Sequence, residues 1–110
     1  MNLEEIELHD AIFKGMEIDP LAGTISISLD YYESAVNSRE RSPATIRFEQ
    51  VTQHSQICDF AELQSHASFG NVVSWAPSAD QGSTYIYLAR GLISITAERC
   101  SFIGRETIQV

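Results

Sequence analysis

Three histidines and two cysteines are the side chains of this 110-residue chain best suited to chemistry, and their spacing offers two constellations. His9 and Asp10 adjoin, and a histidine oriented by a carboxylate is the elementary acid–base pair. Neighbours on an extended chain point to opposite sides, however, so the favoured role is structural. Asp10 accepts backbone hydrogen bonds at a strand entry and His9 packs beside it. His54, Cys58 and His66 form the second set. On a helix, positions four apart face the same way, and Asp59 or Glu62 would add an oxygen, which gives the donor types of a metal site. The preferred reading makes Cys58 a small buried hydrophobe beside Ile57 and Phe60 and leaves both histidines in solvent. Neither cysteine lies in a nucleophile signature and no serine stands in a G-x-S-x-G elbow, so no catalytic set and no cofactor is expected.

Trp75, Tyr85 and Tyr87 are candidates of another kind. They fall on neighbouring predicted strands, where aromatic side chains exposed together supply the anchors of a binding surface, or else pack beneath a loop or short helix.

Charge narrows the function classes. Fifteen acidic residues against seven basic ones leave a formal charge of −8, which repels nucleic-acid phosphates and anionic lipid headgroups and attracts basic surfaces. The first seven residues carry neither a basic segment nor an apolar run, and nothing later approaches the roughly 20 apolar residues that cross a bilayer. The expectation is a cytoplasmic protein with no membrane or nucleic-acid partner, in which Cys58 and Cys100 stay free thiols.

The elements that must position these residues are read from alternation, which predicts an antiparallel β domain. After a short helical turn or an irregular lead-in, a first strand begins near Ala11. Ile12, Met16 and Ile18 share one face, Phe13 and Glu17 the other, and Lys14 interrupts the pattern. Asp19-Pro20-Leu21-Ala22-Gly23 reads as a turn, since proline presets one dihedral and glycine tolerates positive φ. Residues 24–33 alternate most cleanly, with Ile25, Ile27, Leu29 and Tyr31 on one side. Residues 34–43 read as a polar loop. A third strand follows from Ala44 with a change of face near Gln50. Residues 55–67 carry Ile57, Phe60 and Ala61 at near-helical spacing, which predicts one short helix or pair of turns. Val72, Val73 and Trp75 make a short strand. Residues 83–89 and 92–97 flank Arg90-Gly91 as a hairpin, in which Gly91 can take the left-handed conformation of a tight turn, with Tyr85 and Tyr87 opposite Ile86 and Leu88, and Phe102-Ile103 followed by Ile108 and Val110 suggests a last edge strand or a cap on the core.

The ordered series Leu8-His9-Asp10, Ile46-x-Phe48-x-x-Val51, Gly70-Asn71-Val72 and Ile86-Tyr87-Leu88-x-x-Gly91-x-Ile93-x-Ile95-x-Ala97 resembles a family of small bacterial β domains that open with Leu-His-Asp. Some of these are associated with immunity to polymorphic toxins. The resemblance implies a bacterial cytosolic binding protein without catalysis and assigns no site residues. Residue 75 and the 34–43 loop lie outside it.

Together these readings predict one domain over residues 1–110. It is mainly β, an antiparallel sandwich or strongly curved sheet of about six or seven strands with one short helix, or else an open barrel. The predicted function is an acidic, non-catalytic protein-binding module, such as an immunity protein for a basic toxin. The alternatives are a small metal-binding protein or hydrolase, and a domain that self-associates into a homodimer through a free strand edge or the aromatic face.

Overall fold

The computed structural model describes residues 3–32, 41–66 and 70–104. Within them the chain forms a turn of 3-10 helix (Leu3–Glu5), β1 (Ile12–Asp19), β2 (Thr24–Tyr31), β3 (Ser42–Cys58), α1 (Phe60–His66), β4 (Val72–Ala76), β5 (Gly82–Leu88) and β6 (Gly91–Ile103). The fold is mainly β. All six strands pair antiparallel in one sheet of order β1-β2-β3-β6-β5-β4.

Alternation builds the core directly. In β2, Ile25, Ile27, Leu29 and Tyr31 are buried, and across the ladder Ile25 meets Phe48, Ile27 meets Ile46 and Leu29 meets Ala44. Side chains as fully buried as Ile27, Ile46 and Phe48 each stabilise by roughly 1.5–3 kcal/mol relative to exposure.

β3 and β6 are long because they serve both halves of the sheet. Phe48 pairs with Cys100 and Val51 with Ala97, and all four face inward. Between them Glu49-Gln50 and Glu98-Arg99 face outward, so both strands change the parity of their inward positions at one level. Gln50 supplies the local conformation with φ of 53°, while the register stays in step from Phe48 opposite Cys100 to Val51 opposite Ala97, and the extra residue that bends β3 lies just beyond, between Val51 and Gln53. The sheet therefore turns a corner. β1, β2 and the outer ends of β3 and β6 form one half, and residues 51–58, residues 91–97, β5 and β4 form the other, both halves sharing one core.

The outermost strands meet at one end. Ile12 bridges Asn71, the Asp10 amide donates to Val72 O (2.9 Å) and the Val72 amide to Ala11 O (2.8 Å). The ladder goes no further, so the sheet is curved and not closed. Phe102 seats this end, edge-on to Tyr31 (5.0 Å between centroids) and tilted against Trp75 (6.5 Å).

Several sequence expectations change. Phe13 lies opposite Leu29 and Met16 opposite Ile27, with a register shift between them, so Lys14 is a bulge that returns Phe13 to the face of Met16 and Ile18. The helix expected from residue 55 starts only at Phe60, because residues 53–58 continue the β3–β6 ladder. The backbone hydrogen bonds of that ladder outweigh a weak helical spacing. Residues 102 and 103 do not add an edge strand but complete β6 against Ile46 and Thr45. Gly91 does not adopt positive φ. Its role is close approach, since a Cβ there would stand 2.7 Å from Ile57 O. Gly23, with φ of 71°, does use the freedom that the β1–β2 turn demands. Most of the 34–43 loop lies outside the described residues, and so do Ile108 and Val110. No helix among the described residues is long and apolar enough to cross a membrane.

Candidate protein-binding surface

The half of the sheet built from β4, β5, residues 91–97 and residues 53–58 turns one face to the core and one outward. Cross-strand register sets the outward face out in rows. Ser74, Tyr87, Leu92 and Ile57 stand in line across four strands, then Ala76, Tyr85, Ser94 and Ser55, then Ser83, Thr96 and Gln53. None of these residues is charged, in a chain with charged residues at 20% overall. Ile57 is 67% exposed, Tyr87 42% and Tyr85 39%. Past the first row the chain runs into Asp59 and Glu62, and next to the third come Asp80 and Glu98, all four exposed. An uncharged centre carrying tyrosines, with charges at its margins, is the composition of a protein–protein contact surface.

The helix does not cover this face. The described side chains of α1 are all exposed, Phe60 at 72%, and its start is capped by Asp59, whose Oδ1 accepts from the Glu62 amide (3.2 Å). Ser83 and Thr96 link their hydroxyls at 2.7 Å, which fixes part of the third row.

Trp75 does not join the two tyrosines. It pairs with Ile86, whose side chain is in the core, while Tyr85 and Tyr87 pair with Ala76 and Ser74. A register shift between Val72 and Ser74 puts Trp75 on the inner face, where Nε1 donates to Ile6 O at 2.9 Å and the ring meets Phe102. Its work is to fasten the amino-terminal segment over the core.

His9 and Asp10 form a turn that serves the same fastening. The His9 amide donates to Glu7 Oε1 (2.9 Å) and the His9 ring, through Nδ1–H, to Val73 O (3.1 Å). Asp10 has φ of 68°, and its carbonyl accepts from Arg41 Nε (3.0 Å). The expected strand-entry role of this pair therefore runs through backbone groups of Asp10 in place of its carboxylate.

The metal set is not gathered. His54 and Cys58 lie four apart on a strand, which places them about 13 Å apart at roughly 3.3 Å per residue, and His66 ends α1 beyond a separate turn. No group of three His, Cys, Asp or Glu with metal-holding geometry occurs among the described residues. Both cysteines are free. Cys58 pairs with Gly91 at one end of β6 and Cys100 with Phe48 towards the other, out of bridging range. Burial pushes the Cys100 thiol up from 9.0 to about 11, against a smaller lowering by its hydrogen bond with Thr84, so it stays protonated and unreactive at neutral pH.

The sequence pattern singles out Tyr85 and Tyr87 but not Ile57 and Leu92, which complete their row. Residues 53–56 are polar on both faces and leave no alternation to mark a strand, while the spacing of Ile57 with Phe60 and Ala61 points to a helix.

No protein-family model matches the chain, and comparisons with curated proteins and with solved structures return no match.

Proposed function

We propose that this chain is a non-catalytic protein-binding module whose contact surface is the uncharged outer face carrying Tyr85, Tyr87, Leu92 and Ile57. The observation behind this reading is that face itself: large apolar and aromatic side chains in register on a rigid sheet, with charged residues only at its ends. Tyrosines on strands lose little conformational entropy on binding, and an uncharged centre avoids the cost of burying unpaired charge. The formal charge of −8 favours a basic partner, drawn in by the field of the whole chain and held by the apolar centre. The Leu-His-Asp resemblance implies a bacterial cytosolic binding protein, and covering a basic toxin, as an immunity protein would, is a task for such a surface.

The test is affinity capture from the source organism's lysate with the wild-type chain and with a Tyr85→Ala, Tyr87→Ala variant of unchanged fold. A basic protein retained by the first, lost by the second and weakened by salt supports the reading. A partner retained equally by both removes it.

A further inference from the structure

β3 has a partner on both sides only as far as Glu49. β2 pairs with residues 42–49, and the last backbone bond from that side is Val51 N to Gly23 O (2.9 Å). From residue 52 to its end at Cys58, β3 is held by β6 alone. The direction of the backbone groups follows from two contacts. The Asp59 amide donates to Arg90 O (3.4 Å), and Ile57 O lies on the β6 side, close to Gly91. In an antiparallel ladder the direction alternates, so residues 53, 55 and 57 bond β6 while His54 and Gln56 send their N–H and C=O outward. Those outward groups have no backbone partner among the described residues.

Natural edges of this length carry lysine, proline or an inward charge that discourages pairing. This one has none: from Gln50 to Cys58 the sequence is uncharged, and residues 52–57 are all exposed. We propose that this edge pairs antiparallel with the same edge of a second copy, about a two-fold axis at Ser55.

The extent of the free stretch and its lack of charge fit a second copy in this register. The free stretch is bounded by the β1–β2 turn beside Val51 and by the end of β3 at Cys58, so its midpoint is Ser55. Pairing about Ser55 sets Thr52 against Cys58 and covers both free stretches completely. The same register sets His54 opposite Gln56 of the second copy, two outward-directed residues that then exchange backbone hydrogen bonds, with Ser55 facing itself. Charge agrees as well. Two chains of −8 repel in general, yet residues 52–58 of both copies are uncharged, so carboxylates approach each other only at the two ends, where Asp59 and Glu62 of one copy come towards Asp19 in the β1–β2 turn of the other. The two Asp59 residues sit at opposite ends, about 26 Å apart at roughly 3.3 Å per residue and well beyond the screening length. Each end also brings the β1–β2 turn of one copy, with Leu21 102% exposed, towards the Phe60 end of the other. The pairing extends the outer face across the axis, so the dimer presents two copies of it on one continuous sheet.

Sedimentation of the full chain tests this with three proteins, the wild type, Ser55→Asp and Ser55→Lys, each checked for unchanged circular dichroism. Ser55 is exposed on the outer face, so either change leaves the fold in place. The wild type should dimerise between roughly 10 and 200 µM, in keeping with a seam below about 1,000 Å². Each variant alone should weaken the dimer by about fivefold or more, because like charges face each other at the axis. An equimolar mixture of the two should restore it. A wild type that is monomeric at 200 µM overturns the proposal. So does a dimer that neither variant disturbs.

Discussion

Replacing Trp75 by alanine separates a fastening role from a binding role. Trp75 is half-buried on the inner face, against Phe102, with its indole N–H on Ile6 O. Truncating a fully buried aromatic residue costs about 3–5 kcal/mol, and half-burial brings the packing loss to about 2 kcal/mol. The lost hydrogen bond leaves the Ile6 carbonyl without its indole donor and adds about 1 kcal/mol. The expected destabilisation is therefore about 3 kcal/mol, whereas Tyr87→Ala, on the exposed outer row, should stay within about 0.5 kcal/mol of wild type. Trp75→Phe divides the terms: it keeps most of the packing, so its cost should fall to about 1 kcal/mol. Urea unfolding followed by far-ultraviolet circular dichroism measures all three variants on a signal that does not need the tryptophan. If Trp75→Ala unfolds at the wild-type midpoint, or Tyr87→Ala proves the more destabilising, the division of this sheet into fastening and contact faces is wrong.

Two further outcomes follow from the thiols and histidines. The folded-state pKa of Cys100 is raised, so its contribution to stability is complete below pH 9 and is lost as pH rises towards 11. Unfolding free energy should fall over that range, by at most about 2 kcal/mol once the solvent it still sees is allowed for; Cys100→Ala should flatten that part of the slope, and an unchanged slope would contradict the buried thiol. Zinc should move the melting temperature of the wild type and of a His54→Ala, Cys58→Ala variant alike, because strand spacing holds those two residues apart. A zinc-dependent rise confined to the wild type would contradict that placement.

The strands were legible wherever one face is apolar and the other polar, as in β2, β5 and the first part of β6, because burial enforces a period of two. Turn chemistry was legible at Pro20 and Gly23. The bend was half-visible: the change of face near Gln50 shows in the sequence, but its counterpart at Glu98-Arg99 gains meaning only once β6 is known to pair there. Residues 53–58 carry no strand signal in the sequence because they form an edge with polar residues on both faces, which removes the alternation that would mark a strand. Trp75 looks like a companion of the tyrosines in the sequence because a bulge between Val72 and Ser74 shifts the parity of β4, and a bulge in a five-residue strand leaves no periodic trace. The candidate surface was legible in its tyrosines and hidden in its aliphatic members for the same reasons.

The most direct test of the proposed contact face is calorimetric titration of the captured partner with the wild type, with Tyr85→Ala, Tyr87→Ala, and with Trp75→Phe at a temperature where all are folded. The outer face predicts that the tyrosine variant loses at least tenfold in affinity while Trp75→Phe binds as the wild type does. Full affinity in the tyrosine variant, or a loss confined to Trp75→Phe, would contradict it.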